Sequence, residues 1–113
     1  MAYLKEFSGR IVLEINSSGI REFGGVYKYK VDGDYVKEWS GKILYKIDGD
    51  TIKDFYGRIC LQCSGGNIKR FGGMILYQYD NQYIKEWGAK IIYKFDGFLS
   101  HKEKMALFAI LFD

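Results

Sequence analysis

Cys60 and Cys63 form a C-x-x-C spacing, and the sole histidine is His101. Thiols and an imidazole are the groups that bind zinc or exchange disulfides. The setting argues against both. A zinc site needs four ligands, and no second pair accompanies these thiols. Redox C-x-x-C motifs sit at a helix start, whereas these cysteines fall in a strand-like stretch, where positions three apart point to opposite faces. The pair reads as structural. His101, just behind a helix-capping serine, reads as an exposed helix-start residue. No metal or cofactor is expected.

Carboxylates could do acid–base work if brought together. Glu6, Glu22, Glu38, Asp54 and Glu86 recur at a sixteen-residue spacing that Arg70 interrupts once. A set repeating with the fold reads as a ring of solvated rim charges, partnered by nearby Lys, rather than as a catalytic pair. No nucleophile–base–orienter set can be named, and the Gly-Gly pairs precede strands, so they cradle no phosphate at a helix start. The chain is therefore expected to be no enzyme.

The basic ladder Lys5, Arg21, Lys37, Lys53, Lys69 and Lys85 is complete at the same spacing. Around it lie two patches that mix basic and aromatic side chains: Tyr35, Lys37, Trp39, Lys42 and Lys46, and their copy Tyr83, Lys85, Trp87, Lys90 and Lys94. Such mixtures can stack on rings and hold phosphates. The competing reading is that lysines keep a sheet face soluble and block edge pairing, and it weighs more.

What positions these groups is an internal repeat of sixteen residues, present six times: LKEF, IREF, VKEW, IKDF, IKRF and IKEW open the copies at Leu4, Ile20, Val36, Ile52, Ile68 and Ile84. Each copy carries two turn signals eight residues apart, such as Ser40-Gly41 and Asp48-Gly49. Between them lie six-residue stretches rich in Ile, Val, Tyr, Phe and Trp, which suit a pleated sheet. Two-residue turns then give twelve strands in an antiparallel meander, at about 2–7, 10–15, 18–23, 26–31, 34–39, 42–47, 50–55, 58–63, 66–71, 74–79, 82–87 and 90–95. This register puts Val36, Ile43, Tyr45 and Ile47 on the core face, and Tyr35, Lys37, Trp39, Lys42, Leu44 and Lys46 on the other. The aromatics Phe7, Phe23, Trp39, Phe55, Phe71 and Trp87 fall outside, unless a bulge turns them in or another chain covers them. Repeats one and four, two and five, and three and six match best, so residues 2–97 form two 48-residue halves.

From Phe98 the pattern changes. Ser100 followed by Glu103 is a capping-box signature, and MALFAILF is apolar on every side, so a buried helix is expected at about 101–112. Twelve strands left open would expose two edges and an apolar face. The expected fold is all-β plus one helix: a single domain, 1–113, with the meander closed into a barrel or flower and the helix packed against or inside it. A closed barrel also needs stagger, which uniform two-residue turns lack and which bulges near the Gly9-type positions would supply. A radial array of hairpins and two packed six-stranded sheets are the rivals.

The repeat GDYVKEWSGKILYKID is similar to the hairpin repeats of small bacterial β-flower proteins of unknown function, over residues 2–97. Twelve strands followed by an apolar C-terminal helix also resembles, in architecture, the tubby, phospholipid scramblase and LURP-one-related barrels. The resemblance implies a barrel around a helix, and slightly favours lipid headgroups among ligands.

A formal charge of +3 and a pI near 8.8 are too mild to indicate nucleic acid or a membrane surface by themselves. The opening MAYLKEFSGR lacks the apolar segment of an export signal, no stretch is long enough for a membrane helix, and the cysteines are few. A reduced, cytoplasmic protein is expected. The preferred reading is a non-enzymatic structural or interaction module that forms homo-oligomers through its aromatic face. The alternative is a binding module for an anionic ligand (lipid headgroup, glycan or nucleic acid) on the Lys/aromatic face.

Overall fold

The computed structural model describes residues 2–70, 72–86, 88 and 90–112. The strands are β1 (Ala2–Glu6), β2 (Ile11–Asn16), β3 (Gly19–Glu22), β4 (Tyr27–Asp32), β5 (Tyr35–Glu38), β6 (Ile43–Asp48), β7 (Thr51–Asp54), β8 (Ile59–Ser64), β9 (Asn67–Arg70), β10 (Ile75–Tyr79), β11 (Tyr83–Glu86) and β12 (Ile91–Gly97), followed by helix α1 (His101–Phe112). Every strand pairs with its chain neighbours, and β1 pairs with β12. The meander is a closed antiparallel barrel, which excludes the radial array and the two-sheet sandwich.

The two turns of each repeat differ, and this corrects the uniform register. The second turn has two residues: Asp32 faces Tyr35 across Gly33-Asp34, with Gly33 at φ 61°. It lies one residue later than the turn signal suggested. The first turn is longer. The N–H of Gly9 donates to the Glu6 carbonyl at 2.9 Å, and that of Glu6 to the Arg10 carbonyl at 2.8 Å, leaving Phe7, Ser8 and Gly9 in the loop. Gly9 sits at φ 97°, where a side chain would be strained. A bulge follows: Leu4 faces Leu13 but Lys5 faces Ile11, so Val12 is extra.

This bulge supplies the stagger that closure requires. Leu13 faces Leu4 on one side and Glu22 on the other, and Glu22 is two residues beyond Ile20, the repeat-mate of Leu4. Each repeat therefore climbs two residues, and six repeats climb twelve, one per strand. Strands with that stagger tilt by about 35°. The bulge also moves Ile43 to the outer face opposite Lys37, not to the core face that two-residue turns would give it.

Three rings of inward side chains fill the barrel wall. One is Leu4, Ile20, Val36, Ile52, Ile68 and Ile84, all fully buried. The next is Leu13, Tyr29, Tyr45, Leu61, Tyr77 and Tyr93, whose Leu-Tyr-Tyr order repeats once per 48-residue half. The third is Ile15, Val31, Ile47, Cys63, Tyr79 and Phe95. Inside them lies the helix. Met105, Ala106, Leu107, Phe108 and Ala109 are consecutive and fully buried, and at 100° per residue they cover every side of it. Phe108 packs on Tyr79, and Phe112 stacks on Tyr77 at 4.1 Å between ring centres. The helix fills the interior.

The capping box forms in both directions: the Ser100 N–H donates to Glu103 Oε1 at 3.0 Å, and the Glu103 N–H to Ser100 Oγ at 3.2 Å. The second-turn rim holds this end of the helix. Lys102 Nζ lies 2.8 Å from Asp34, Lys104 Nζ donates to Asn81, and His101 Nε2 is 2.9 Å from the Gly49 carbonyl and 3.2 Å from Asp50. His101 is half exposed, as a helix-start residue should be. The opposite end, Ile110–Phe112, emerges at the first-turn rim. Among the described residues no helix is long and apolar enough to cross a membrane.

Candidate functional site

At the first-turn rim, the aromatic side chain of each described repeat occupies the second position of its turn. Phe7, Phe23, Trp39 and Phe55 each follow the residue whose carbonyl closes the turn, at Glu6, Glu22, Glu38 and Asp54. They point neither into the core nor along a strand. Phe7 is 70% exposed, Phe23 58%, Phe55 63% and Trp39 48%. Phe71 and Trp87 lie outside the described residues. Val26, Tyr56 and Met74 add exposed apolar surface to the same turns. The result is an aromatic crown around the emerging helix end.

Between crown and helix lie two open hollows. One, of about 750 Å³, runs from Phe23 and Tyr29 to Ile110 and Leu111. The other, of about 540 Å³, lies among Phe7, Tyr77, Tyr93, Leu111 and Phe112. The crown's charges are paired locally. Arg10 reaches Glu6, Lys28 lies 2.8 Å from Glu22, and Arg58 lies 2.8 Å from Asp54. The Lys28 ammonium holds the Glu22 carboxyl below its usual range. Burial pushes the Asp54 carboxyl up, but hydrogen bonds from Arg58 and the Tyr56 N–H outweigh it and the net shift is down. Glu6, Glu22 and Asp54 are thus ion-pair partners of neighbouring bases on the rim.

The outer wall carries the basic ladder. Tyr35, 38% exposed, faces Lys46; Lys37 faces Lys30; and Lys46 faces Lys53. The structure therefore brings Tyr35, Lys37 and Lys46 together on the wall of β4–β7. Lys42 and Trp39 belong to the turn at the rim. In the second patch Tyr83 faces Lys94, Lys85 faces Gln78, and Lys90 sits exposed at the rim. Trp87 of this patch is outside the described residues. Lys37 pairs with Asp32, Lys53 with Asp48 and Lys5 with Asp96. These bonds lower the Asp32 and Asp96 carboxyls.

One cluster on this wall has no counterpart in the other repeats. Glu14 stands where the other copies have Lys or Gln, and it is the buried charged residue of the wall, 4% exposed. Arg21 Nε donates to it at 2.7 Å, and Asn16 donates from the other side. Hydrogen bonding to Glu14 raises the Arg21 guanidinium further. Arg21 lies over the ring of Tyr27, whose other neighbour is Trp39, stacked at 5.1 Å. Trp39 thus leans from the crown back onto the wall, with Lys30 Nζ 5.7 Å from its ring. The sequence signal was the set of departures from the repeat, Glu14, Gly19 and Tyr27, which fall together in space.

Both cysteines lie on β8, and neither is joined in a disulfide. Cys63 faces the interior, and burial pushes its thiol up to about 12. Cys60 occupies the bulge of β8, so the two do not share a face. Compared with protein-family models, with curated proteins and with solved structures, the chain matches none.

Proposed function

We propose that the chain is a non-enzymatic interaction module that assembles with further copies of itself through the crown face. The observation that carries this reading is the exposure of Phe7, Phe23 and Phe55 at the tips of turns on one rim. Large apolar side chains exposed together on one face mark contact surfaces. The half-buried Ile110–Phe112 end of the helix adjoins these side chains.

The occupant we assign to this rim is a second copy of the chain. Acids and bases lie side by side on it, as Glu6 with Arg10 and Asp54 with Arg58, and a face carrying both signs can meet its own copy across a two-fold axis. The molecule measures 37 × 34 × 18 Å, and a broad face of it is on the order of 1,000 Å², about what each partner gives to a standard interface. Two cysteines outside any disulfide, one of them sealed in the core, suit a reducing cytoplasm. Light scattering of the intact chain, against Phe7→Ser with Phe55→Ser, tests the reading. A dimer or larger species that the double variant dissociates supports it, and an unpaired wild-type chain at high concentration refutes it.

A further inference from the structure

Lysines face lysines across the outer wall of the barrel. Lys30 stands directly opposite Lys37 on β4 and β5, and Lys46 directly opposite Lys53 on β6 and β7. Like charges placed so are destabilising, and their effect falls on the same side of two neighbouring hairpins. Asp32 and Asp48 compensate one lysine in each pair. Among the described residues no carboxylate lies within salt-bridge distance of Lys30 or Lys46.

The fold supplies no reason for this arrangement. Lysines on a strand commonly blunt a sheet edge against unwanted pairing, but a closed barrel has no edge. The same wall also has a stabilising solution available, because the equivalent positions at Glu14 and Arg21 hold an acid opposite a base. Of the other equivalent pairs, Gln62 with Lys69 and Gln78 with Lys85 on β8–β11 set no lysine against another, and Lys94 stands opposite Lys5 on β12 and β1, where Asp96 pairs with Lys5. Two of the three lysine–lysine pairs thus adjoin on β4–β7, beside exposed Tyr35 and half-exposed Trp39.

We propose that the outer wall of β4–β7 binds a single-stranded nucleic acid, its phosphates held by Lys30, Lys37, Lys46 and Lys53 and its bases packed on Tyr35 and Trp39. The lysines repeat on successive strands about 4.8 Å apart, so a flexible chain of phosphates can track them around the wall. Aromatic rings beside a basic track are the means by which single strands are held without sequence preference. A bilayer fits less well: the wall is convex, and a plane touching it meets only one or two of its strands at a time. This surface shares Trp39 with the crown but contains none of Phe7, Phe23 or Phe55, so the substitutions that test self-association leave it intact and the two readings are tested separately.

The test is a fluorescence-anisotropy titration of the intact chain with labelled twelve-residue oligothymidylate, in low salt and across a salt series. Lys30→Gln with Lys46→Gln removes the two lysines of these pairs that hold no salt bridge among the described residues. Lys69→Gln with Lys85→Gln removes the same net charge from the other wall. The expected result is saturable binding, a log–log salt slope of about −3 for four phosphate contacts, at least a tenfold loss in the first variant, and less than a threefold change in the second. The first variant should also melt no lower than the wild type, since it relieves repulsion. Equal losses in both variants, binding to anionic vesicles but not to the oligonucleotide, no binding at low salt, or a lower melting temperature in the first variant would each overturn the proposal.

Discussion

A Cβ placed on Gly19 would lie 3.2 Å from Cζ3 of Trp39, and only 2.5 Å from the carbonyl oxygen of Tyr29. In the first, third and sixth repeats the same position is tyrosine: Tyr3, Tyr35 and Tyr83. The second repeat gives up that side chain where the Trp39–Tyr27 stack crosses β3. Gly19→Ala should therefore destabilise the protein by about 2–3 kcal/mol, the range for overpacking a well-filled site. Chemical denaturation measures this directly. An unchanged midpoint would mean that the backbone at Tyr29 and the stack can both give way.

The plug makes a larger prediction. Phe108 is fully buried between the helix and Tyr79. Phe108→Ala should cost about 3–5 kcal/mol, the usual range for emptying a buried aromatic site. Removing residues 100–113 should leave an insoluble or molten product, because the three inner rings would then line a void. A soluble truncation that unfolds cooperatively would contradict the filled-barrel account.

Acid should loosen the protein in a defined window. Hydrogen bonds from Lys37, Lys102 and Lys5 hold the carboxyls of Asp32, Asp34 and Asp96 below their ordinary range, and backbone N–H groups of Gln82 and Tyr83 do the same for Asp80. A depressed carboxyl stabilises the fold fully above its unfolded-chain value, near pH 4, and that contribution is lost as the pH falls through the folded value. The melting temperature should therefore change little on account of these groups from pH 7 to 5 and drop below about pH 4. Asp34→Asn should shrink the drop. A melting temperature that rises on acidification would refute this assignment.

Thiol chemistry separates the two cysteines. Cys63 is sealed in the interior with its thiol pushed up to about 12, whereas Cys60 sits in a bulge of the wall. A thiolate is the reactive form. Alkylation of the native protein at pH 8 should modify Cys63 only as fast as the barrel opens, and denaturant should expose it at once. Rapid native-state labelling of Cys63, read by peptide mass, would mean that β8 does not face the core.

Much of this architecture is legible in the repeat. Alternating aliphatic residues locate the twelve strands, and Ser100 with Glu103 locates the helix start. The apolar character of Met105–Phe112 on all sides places that helix inside. The register was less legible, because spacing alone does not distinguish a two-residue turn from a longer loop followed by a bulge. That difference of one residue carries Ile43 to the outer wall and lifts Phe7 and Phe23 from strand to turn tip. The glycines were the available clue: Gly9, Gly41 and Gly57 all adopt positive φ two residues after the aromatic. For the site, the basic ladder was visible residue by residue. Which lysines face each other was not, since Lys30 against Lys37 depends on the turn between them.

The most direct test of the crown as a contact face is the solution mass of the intact chain, measured by light scattering across concentration and salt. The account predicts a dimer or larger species that Phe7→Ser with Phe55→Ser converts to the single chain while leaving the melting temperature nearly unchanged. A single chain at high concentration for the wild type, or an oligomer indifferent to those substitutions, would contradict it.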